Sequence, residues 1–535
     1  MASPRVVDIA IDTASYVRSH LWLTLAVCVL LYFVSQRYKT GLRHIPGPFV
    51  ASFSGFWRAW EVAKGDWHIK NLQLHRQYGP LVRIAPNIVS VSDPDALRVI
   101  YGLNSGFTKV WRAMLLIYMG KSMITREQTD FYPIQEMKYG KIYLANLFST
   151  KSDEFHAKQK RSVASAYSMT SMLAFEPYVD NCSELFFKRL DELYVNPRQP
   201  CDLGKWLQLY AMDVIAEVTF GKRFGCMQEG GDVGGLIDTI DNFLVYASVV
   251  GQVPYLHKFL FGNPLLPYIM PKLDSINHVV KFTLERIAER EKDPERHKDF
   301  LGRLYEAKAE GKMEAVDTIR HSSANVFAGS DTTAIALRSA IDGLLTHPEC
   351  YRKLQAEIDQ KRAEGKLSLP VKYAEAQQMP YLQAVLKEGM RYHPSVSFLL
   401  ERHVPKGGTV ICSTRIPEDT IVGINAWVVH RDRKVFGEDA DVFRPERWLE
   451  ADEAQLKAME RAFFVFGGGS RTCTGRNISL MEMSKVIPSL LMVYDIERAD
   501  PKAQVRTKTY WFAVQRGLIC NIKKREPPKA SDSVA

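Results

Sequence analysis

Cysteine is scarce in this sequence, with eight residues among 535, and no two of them have CxxC spacing. A disulfide scaffold, a dithiol redox motif and the common zinc-ribbon spacings are therefore excluded. Dense basic runs are also scarce, and the clearest one is at residues 523–525 near the C-terminus. The net charge of +10 is spread over a long chain. This distribution predicts no nucleic-acid binding and favours a surface that docks an acidic partner.

Fixed-period repeats are absent, and no linker rich in Pro, Gly or Ser divides residues 51–520. Hydrophobic residues make up 46% of the chain and charged residues 24%, which is typical of globular proteins. Helical patterns dominate the second half, as at 316–345, whereas strand-like runs are short, as at 81–91 and 409–423. The sequence therefore predicts one large, mainly α domain with small β-sheets, followed by a disordered tail at 521–535.

One uncharged hydrophobic run is present, LWLTLAVCVLLYFV at residues 21–34. It is shorter than the roughly 20 residues that cross a bilayer, but extension to 17–36 reaches that length. A secretory signal would require a small-residue cleavage site, and the sequence SQRYK follows instead. A buried core helix is the other alternative. We predict a transmembrane anchor at residues 21–36.

The flanks of this anchor predict its orientation. Arg37, Lys39 and Arg43 follow it, and by the positive-inside rule they place the body in the cytosol. Residues 1–20 are then a short lumenal N-terminus. Residues 37–50 contain Pro-Gly-Pro and form a stiff linker, because two prolines around a glycine cannot continue a helix.

The most informative segment is FGGGSRTCTG at residues 466–475. Three consecutive glycines suit neither a helix nor a strand, but they allow a bulky flat group to approach the backbone. Cys473 is a soft thiolate donor, and Arg471 and backbone amides would stabilise its anion. One cysteine as the only protein ligand suits a metal already held by four nitrogens, which indicates haem. The alternative is an ordinary buried cysteine that acts as a small hydrophobic residue.

Phe466, Gly469, Arg471, Cys473 and Gly475 match the FxxGxRxCxG signature, and with them the sequence resembles the cytochrome P450 family. The resemblance covers nearly the whole chain and implies the cytochrome P450 fold, with a haem-thiolate catalytic domain at 51–520. It implies heme b, with Cys473 as the axial ligand of the iron and the other four residues binding the cofactor. The anchor, the linker and the motifs resemble fungal microsomal members, closest to the pisatin-demethylase-like group.

A second motif, AGSDTT at residues 328–333, interrupts a helical pattern with weak helix formers. A Thr hydroxyl can bond back to a carbonyl and bend the helix, and Asp331 with Thr332 forms a pair able to pass protons. A kinked packing helix is the structural alternative. The motif resembles the oxygen-activation motif of the family, which implies catalytic roles for Asp331 and Thr332.

Other residues resemble further family motifs. Glu388 and Arg391 have i,i+3 spacing on one helix face, and Arg447 lies in a Pro-Glu-Arg sequence. The resemblance implies that these three form a buried, charge-assisted structural network that braces the haem loop.

The two haem propionates require cations. Arg471 is one by the signature, and Arg402 lies where related enzymes offer another. His156 and Lys160 have i,i+4 spacing and resemble the aromatic-xxx-Arg clamp of the family, although Arg161 is a rival to Lys160. A solvated basic face that docks a reductase is the alternative for this helix.

The resemblance implies a monooxygenase that inserts one oxygen atom of O2 into a small molecule, in fungal secondary-metabolite biosynthesis. The resemblance implies that electrons arrive from NADPH through an NADPH-cytochrome P450 reductase. No GxGxxG follows a strand pattern, so the electron donor must be a separate protein. The implied location is the endoplasmic reticulum membrane, single-pass, with a cytosolic catalytic domain. By family position the pocket draws on the apolar segments 101–118, 207–253, 395–400 and 510–513, which predicts an apolar substrate.

Two alternative functions follow from the same haem signature. A haem-thiolate isomerase or dehydratase works without a reductase, but it needs no proton relay such as Asp331 with Thr332. A non-catalytic haem carrier or sensor has no need of the AGSDTT motif.

Overall fold

The computed structural model describes residues 4–109, 131–139, 142–260, 276–292 and 298–526 of the chain. Within these ranges the molecule is mainly helical, with small sheets at the edge of the helical body. This architecture confirms the predicted fold class.

The helices are numbered here in chain order. They are α1 (Pro4–Tyr38), α2 (Phe56–Ala63), α3 (Trp67–Tyr78), α4 (Ala96–Tyr101), α5 (Asp153–Val163), α6 (Met169–Leu190), α7 (Leu203–Phe220), α8 (Cys226–Glu229), α9 (Leu236–Val250), α10 (Tyr255–Leu260), α11 (Ile276–Glu291), α12 (Phe300–Ala309), α13 (Ala315–Thr346), α14 (Pro348–Ala363), α15 (Tyr373–Ala376), α16 (Pro380–Tyr392), α17 (Ala426–Val429), α18 (Arg433–Phe436), α19 (Arg447–Glu450), α20 (Glu453–Ala462) and α21 (Arg476–Val493).

The strands are short and group into one larger and several smaller sheets. They are β1 (Leu81–Ala85), β2 (Ile88–Val91), β3 (Met137–Tyr139), β4 (Ile142–Leu144), β5 (Cys201–Asp202), β6 (Arg402–His403), β7 (Thr409–Ile411), β8 (Thr414–Ile416), β9 (Ile421–Ile424), β10 (Tyr494–Arg498), β11 (Arg506–Tyr510), β12 (Phe512–Arg516) and β13 (Ile519–Lys524). The larger sheet has the order β1-β2-β9-β6, and another has the order β10-β13-β5. The prediction of a disordered tail from residue 521 is wrong for residues 521–524, which pair with β10 as part of β13. The pairs β3-β4, β7-β8 and β11-β12 are antiparallel hairpins.

The long central helix α13 organises the core. It begins at a capping box, in which the side chain of Asp317 accepts the main-chain N–H of Glu314 at 2.9 Å. It ends at His347, because the residue before Pro348 is pushed out of the helical region. Its glycines allow close packing, since a Cβ at Gly329 would lie 2.7 Å from Cγ1 of Ile215 on α7.

Helix α1 extends beyond the predicted anchor at both ends. The stretch His20–Tyr38 is long and apolar enough to cross a membrane, and only 6% of its 18-residue window is buried. Leu21 is 63% exposed and Leu30 is 62% exposed. A second apolar stretch, Val233–Val250, contains α9, whose Leu236 and Phe243 are buried in the core. The length and exposure of α1 agree with an anchor helix, whereas α9 belongs to the body.

Candidate functional site

The glycine-rich segment forms a loop between α20 and α21, as its composition predicts. The main-chain N–H of Cys473 donates to the carbonyl oxygen of Phe466 at 2.9 Å and closes this loop. Gly469 has φ 61°, and a Cβ there would lie 1.9 Å from the carbonyl oxygen of Tyr101. A side chain at this position is excluded by both the left-handed backbone and the contact.

Cys473 combines an accessible side chain with a desolvated environment. The residue is exposed, yet burial raises the pKa of its thiol, and this is opposed by the amides of Gly475 and Arg476 and by the Lys160 cation. An accessible side chain surrounded by protein lies on the wall of an internal cleft. Arg476 and Lys160, more than Arg471, therefore supply the positive charge near the sulfur.

The other accessible face in this region belongs to α13. Ala328 is exposed and Thr332 is half-buried, although most of the surrounding helix is buried. The Thr332 hydroxyl donates to the carbonyl of Ala328 at 2.8 Å, as the AGSDTT motif predicts. The neighbouring Thr333 hydroxyl lies 2.9 Å from the hydroxyl of Ser479 on α21 and ties the two helices together. The Thr333–Ser479 contact therefore places the Ala328–Thr332 face of α13 in the same region as α21, the helix that follows Cys473.

Asp331 faces away from Thr332. Its carboxylate accepts a short hydrogen bond from the side-chain amide of Gln208 on α7, and the Gln208 carbonyl accepts from Arg338 at 2.8 Å. Burial, and then the nearby carboxylate of Asp241, raise the pKa of Asp331 to about 7. Adjacent positions on a helix point about 100° apart. The hydrogen bonds described for Asp331 and Thr332 therefore go to different partners, so the predicted pair is not in direct contact.

The residues predicted to bind propionates lie close together. Arg471 donates to the carbonyl of Thr150 at 2.9 Å and to Asp153 at 2.6 Å. His156 is buried, and its pKa falls to about 3 because of burial and the nearby cations, of which Arg471 is the largest contributor. Arg402 is buried and donates to the hydroxyl of Tyr132 at 3.2 Å.

The rival residues Lys160 and Arg161 occupy different faces of α5. Lys160 donates to the carbonyl of Ser470 in the cysteine loop at 2.8 Å. Arg161 is exposed. The geometry therefore favours Lys160 as the residue that acts at the cleft.

Lys109 joins this group of cations, and sequence reasoning missed it. It is only 4% exposed, and its ammonium lies 3.9 Å from the centre of the Tyr132 ring. Burial, followed by the charges of Arg402 and Arg471, holds its pKa well below the usual range. An isolated lysine carries no motif, so the sequence offered no signal for it.

Arg471, Arg402 and Lys160 need negative charge that the described residues only partly supply, whereas His156, with its pKa of about 3, is neutral at neutral pH. Glu401 lies nearby, but it already pairs with Arg58 at 2.8 Å, and Asp153 is largely exposed. Buried cations without matched anions are costly. The excess positive charge beside an accessible cysteine fits a flat cofactor that carries two carboxylates, such as haem.

Glu388 lies at the centre of a buried network. Arg391 makes a bidentate pair with it, with both N–O distances at 2.8 Å, and Arg447 adds a bond at 3.0 Å. The indole N–H of Trp448 donates to the same carboxylate at 3.0 Å. Burial alone would raise the pKa of Glu388, but the charge of Arg391 and then of Arg447 overrides it, and the pKa is lowered.

His430 connects this network to the cysteine loop and was also missed. It is fully buried, and its Nδ1 donates to the carbonyl of Arg391 at 3.1 Å. Its Nε2 accepts from the main-chain N–H of Phe464 at 2.9 Å, two residues before Phe466. No sequence motif indicates this role, because both partners of the His430 ring are main-chain atoms from distant segments.

The predicted pocket segments are only partly visible. Val396 and Leu400 are half-buried, and Trp511 lies at the tip of the β11-β12 hairpin. Residues 110–118 of the first segment lie outside the described residues.

Comparisons with known proteins agree with the family resemblance that the motifs indicate. The family model described as Cytochrome P450 matches residues 100–520. Cytochrome P450 monooxygenase cicH of Emericella nidulans is 38% identical over 506 residues, which are 93% of this chain and 96% of the relative. A cytochrome P450 monooxygenase of Aspergillus terreus is 37% identical, over 91% of this chain and 97% of the relative.

A third relative matches the finer resemblance. Pisatin demethylase of Fusarium vanettenii is 35% identical over 526 residues, covering 95% of this chain and 97% of the relative. None of these names supports a reductase-independent isomerase or a non-catalytic haem carrier.

Proposed function

This chain belongs to the cytochrome P450 family, and from that premise we infer which of its residues carry the haem-thiolate monooxygenase reaction. The observations that carry the inference are the accessible Cys473 just before α21 and the contact of α21 with α13 at Thr333, next to Thr332; we place the haem cleft between them. When bound, heme b supplies the redox chemistry by which one oxygen atom of O2 enters the substrate and the other leaves as water.

Each residue of the cysteine loop has a distinct role in holding the cofactor. Cys473 would provide the thiolate ligand of the iron, and Phe466 would give the cofactor an aromatic wall. Gly469 lets the loop pass against the carbonyl of Tyr101, and Gly475 leaves space beside the Cys473 sulfur, because neither carries a side chain.

The cations hold the carboxylates of the cofactor. Arg471, Arg402, His156 and Lys160 are the residues that the motifs indicate, of which His156 would act as a neutral N–H donor, and Lys109 completes the set. Charge-assisted hydrogen bonds of this kind are shorter and stronger than neutral ones. They also compensate the positive charge that is otherwise buried without partners.

Thr332 and Asp331 divide the handling of protons. The Thr332 hydroxyl lies on the accessible face of α13 and would hold a proton donor there, while Asp331 exchanges its proton near neutral pH, since its pKa is about 7. Asp331 bonds to Gln208 and does not contact Thr332 directly. A proton therefore passes from Asp331 to Thr332 either through water or after the Asp331 carboxylate rotates.

The electrons come from NADPH through a cytochrome P450 reductase. Lys158, Arg161 and Arg476 are exposed cations on α5 and at the start of α21, next to the cysteine loop. An acidic partner that docks there delivers electrons on the side of the cysteine.

The protein is held in the endoplasmic reticulum membrane by α1, with its body in the cytosol. Large apolar side chains beside α1 extend this contact, and two of them, Trp60 and Phe259, are 68% and 74% exposed. Phe56 on α2 and Tyr255 on α10 have ring centres 6.3 Å apart, so these exposed residues form one patch on the body. A contiguous exposed apolar patch of this kind suits a lipid surface.

The substrate is an apolar small molecule of fungal secondary metabolism. The half-buried Val396 and Leu400 give the accessible part of the loop after α16 an apolar character. The likeness to a pisatin demethylase supports a substrate of natural-product type.

The experiment measures whether electrons from NADPH reduce oxygen to peroxide or to water, and it needs no identified substrate. Purified full-length holoprotein, a fungal cytochrome P450 reductase and NADPH are combined, and NADPH, oxygen and hydrogen peroxide are followed together. One NADPH per O2 yields peroxide, whereas two NADPH per O2 yield two waters. We expect Thr332→Ala to lower water formation by about 10²-fold or more while NADPH oxidation continues, since general acid catalysis is typically worth that factor.

Thr346→Ala is the matched control, because its hydroxyl also donates to the carbonyl four residues earlier, at 2.7 Å, near the end of the same helix. If Thr332→Ala leaves the ratio of peroxide to water unchanged, Thr332 has no catalytic role. As a check on the ligand, Cys473→Ala should lose the carbon-monoxide difference spectrum typical of a thiolate-ligated haem.

A further inference from the structure

Ser395, just after α16, makes a contact with α13 that the reaction scheme above does not use. Its hydroxyl donates to the main-chain carbonyl of Thr332 at 2.8 Å, and Ser395 is buried. In an α-helix this carbonyl also accepts the N–H of Ala336, so Ser395 supplies a second donor. The hydroxyl of Thr332 bonds to Ala328 at the same time. Thr332 is therefore fixed both through its side chain and through its main chain.

The other side of Ser395 is tied to the β11-β12 hairpin. The carbonyl of Ser395 accepts from the N–H of Ala513 at 2.9 Å, and the N–H of Ser397 donates to the carbonyl of Trp511 at 3.2 Å. Val396 and Phe512 form an antiparallel bridge between these two bonds. The loop after α16 and the hairpin tip are thus one hydrogen-bonded unit.

This unit is rigid and carries backbone strain at its tip. Trp511 has φ 70°, an unusual value for a bulky residue, and it is buried against the rings of Phe131, Phe148 and Phe398 at 5.2 to 5.7 Å. Strained positions of this kind persist only where the surroundings fix them, and they concentrate at functional sites. The strain therefore marks the hairpin tip as a fixed point against which α13 is held.

A second bond joins the same two parts. The side-chain amide of Gln515 on β12 donates to the carbonyl of Ile335 at 3.1 Å. Ser395 and Gln515 therefore brace carbonyls three residues apart, on one side of α13. Of the two, Ser395 acts on the residue whose hydroxyl faces the cleft.

We propose that Ser395 is a positioning residue, which sets the Thr332 hydroxyl in place through the Thr332 carbonyl and links it to the loop that lines the cleft. The proposal rests on the proposed function, because it requires Thr332 to direct protons. Without the Ser395 hydroxyl, this turn of α13 opens more often and the Thr332 hydroxyl leaves its position. Electrons should then leave more often as peroxide, although Thr332 itself is unchanged.

The test compares Ser395→Ala with a matched control in the full-length holoprotein. The Ser339 hydroxyl, two turns along α13, donates to the carbonyl of Gly389 on α16, also at 2.8 Å. Ser339→Ala removes an equivalent buried bond between the same two elements, but away from Thr332. The net worth of one hydrogen bond corresponds to about two- to tenfold in an equilibrium. We expect Ser395→Ala to raise the ratio of peroxide to water about two- to tenfold, and Ser339→Ala to leave it unchanged.

A structural measurement, amide exchange, accompanies the ratio of peroxide to water. Amide exchange at Ala336, whose N–H bonds to the Thr332 carbonyl, should be faster by a similar factor in Ser395→Ala but not in Ser339→Ala. Ser395→Thr keeps the hydroxyl and should behave as the native protein. Ser395→Val has the shape of the Ser395→Thr side chain but lacks the hydroxyl, so it should behave as Ser395→Ala. If Ser395→Ala fails to bind haem, Ser395→Thr and Ser395→Val are compared with each other instead.

The outcomes separate the two levels of the argument. If Thr332→Ala shifts the ratio but Ser395→Ala and Ser395→Val do not, the positioning role is overturned and the proposed function stands. Equal shifts in Ser395→Ala and Ser339→Ala would also overturn it, since general loosening of the helix would explain both. If Thr332→Ala shifts nothing, the assignment of proton delivery to Thr332 fails, and the role of Ser395 fails with it.

Discussion

At the scale of single residues, the buried carboxyl of Asp331 gives the protein a specific dependence on pH. Burial raises its pKa from the usual 3.8 to about 7. Between these two values the unfolded chain loses the proton while the folded protein keeps it, so stability falls as the pH rises and levels off above about 7. The loss is at most about 1.4 kcal/mol per pH unit in that window.

Asp331→Asn should therefore gain stability relative to the native protein from pH about 5 to pH about 7, with no further gain at pH about 8. Melting temperatures of the two holoproteins across this range measure the difference. Asp238→Asn on α9, where the carboxyl is exposed, serves as the control. A constant difference at every pH would mean that Asp331 is ionised throughout.

Motifs reveal residues whose chemistry is local, and they miss residues that act across the chain. Cys473 and Thr332 could be selected because they contact residues of their own motifs, Phe466 and Ala328. Ser395, Gln208 and His430 could not, since each acts on atoms contributed by a distant segment. A hydroxyl, amide or imidazole in one sequence carries no sign of which carbonyl it will meet.

At the scale of elements, the network around Glu388 holds α16 to the segments that precede the cysteine loop. Glu388 and Arg391 are both fully buried. Loss of either partner leaves the other charge buried and unpaired, at a cost of about 3–5 kcal/mol. That is comparable with the net stability of a domain. We expect Glu388→Ala and Arg391→Ala to give mostly haem-free, aggregated protein.

Haem content per protein after purification, with the soluble fraction, measures this effect. Lys457→Ala is a suitable control, because it breaks an exposed ion pair with Glu453 on α20. A soluble Glu388→Ala protein with native haem content and melting temperature would contradict the bracing role.

Element boundaries followed from local signals, whereas sheet pairing did not. The predicted helix 316–345 is Ala315–Thr346 in the structure, because a capping box and a proline define its ends. The strand-like runs 81–91 and 409–423 also form strands. The parallel pairing of β2 with β9 joins residues more than 300 positions apart, and no local pattern encodes such a partner.

At the scale of the whole molecule, the proposed contacts with the membrane come from two separate parts, the anchor helix and the body. Deletion of residues 1–36 should release part of the protein from microsomes and leave haem bound, because the cysteine cleft is built from other segments. Trp60 and Phe259 keep some of the truncated protein on the membrane. Sedimentation with microsomes and haem content measure the two effects.

A second truncated form isolates the apolar patch. Adding Trp60→Ser and Phe259→Ser to the deletion should lower the remaining membrane-bound fraction further. Truncation in combination with Thr346→Ala, an exposed residue on α13, is the control. Loss of haem from the truncated protein would show instead that residues 1–36 belong to the core.

The wide spacing of the cleft residues along the chain also sets a time order for biosynthesis. Lys109 leaves the ribosome early, Thr332 much later, and Cys473 only near the end. The strand β13, at Ile519–Lys524, must then return to pair with β5 at Cys201–Asp202. Haem can thus be captured only after nearly the whole chain has been translated. The cell therefore has to keep a newly made chain soluble while its buried cations and apolar cleft still await the cofactor.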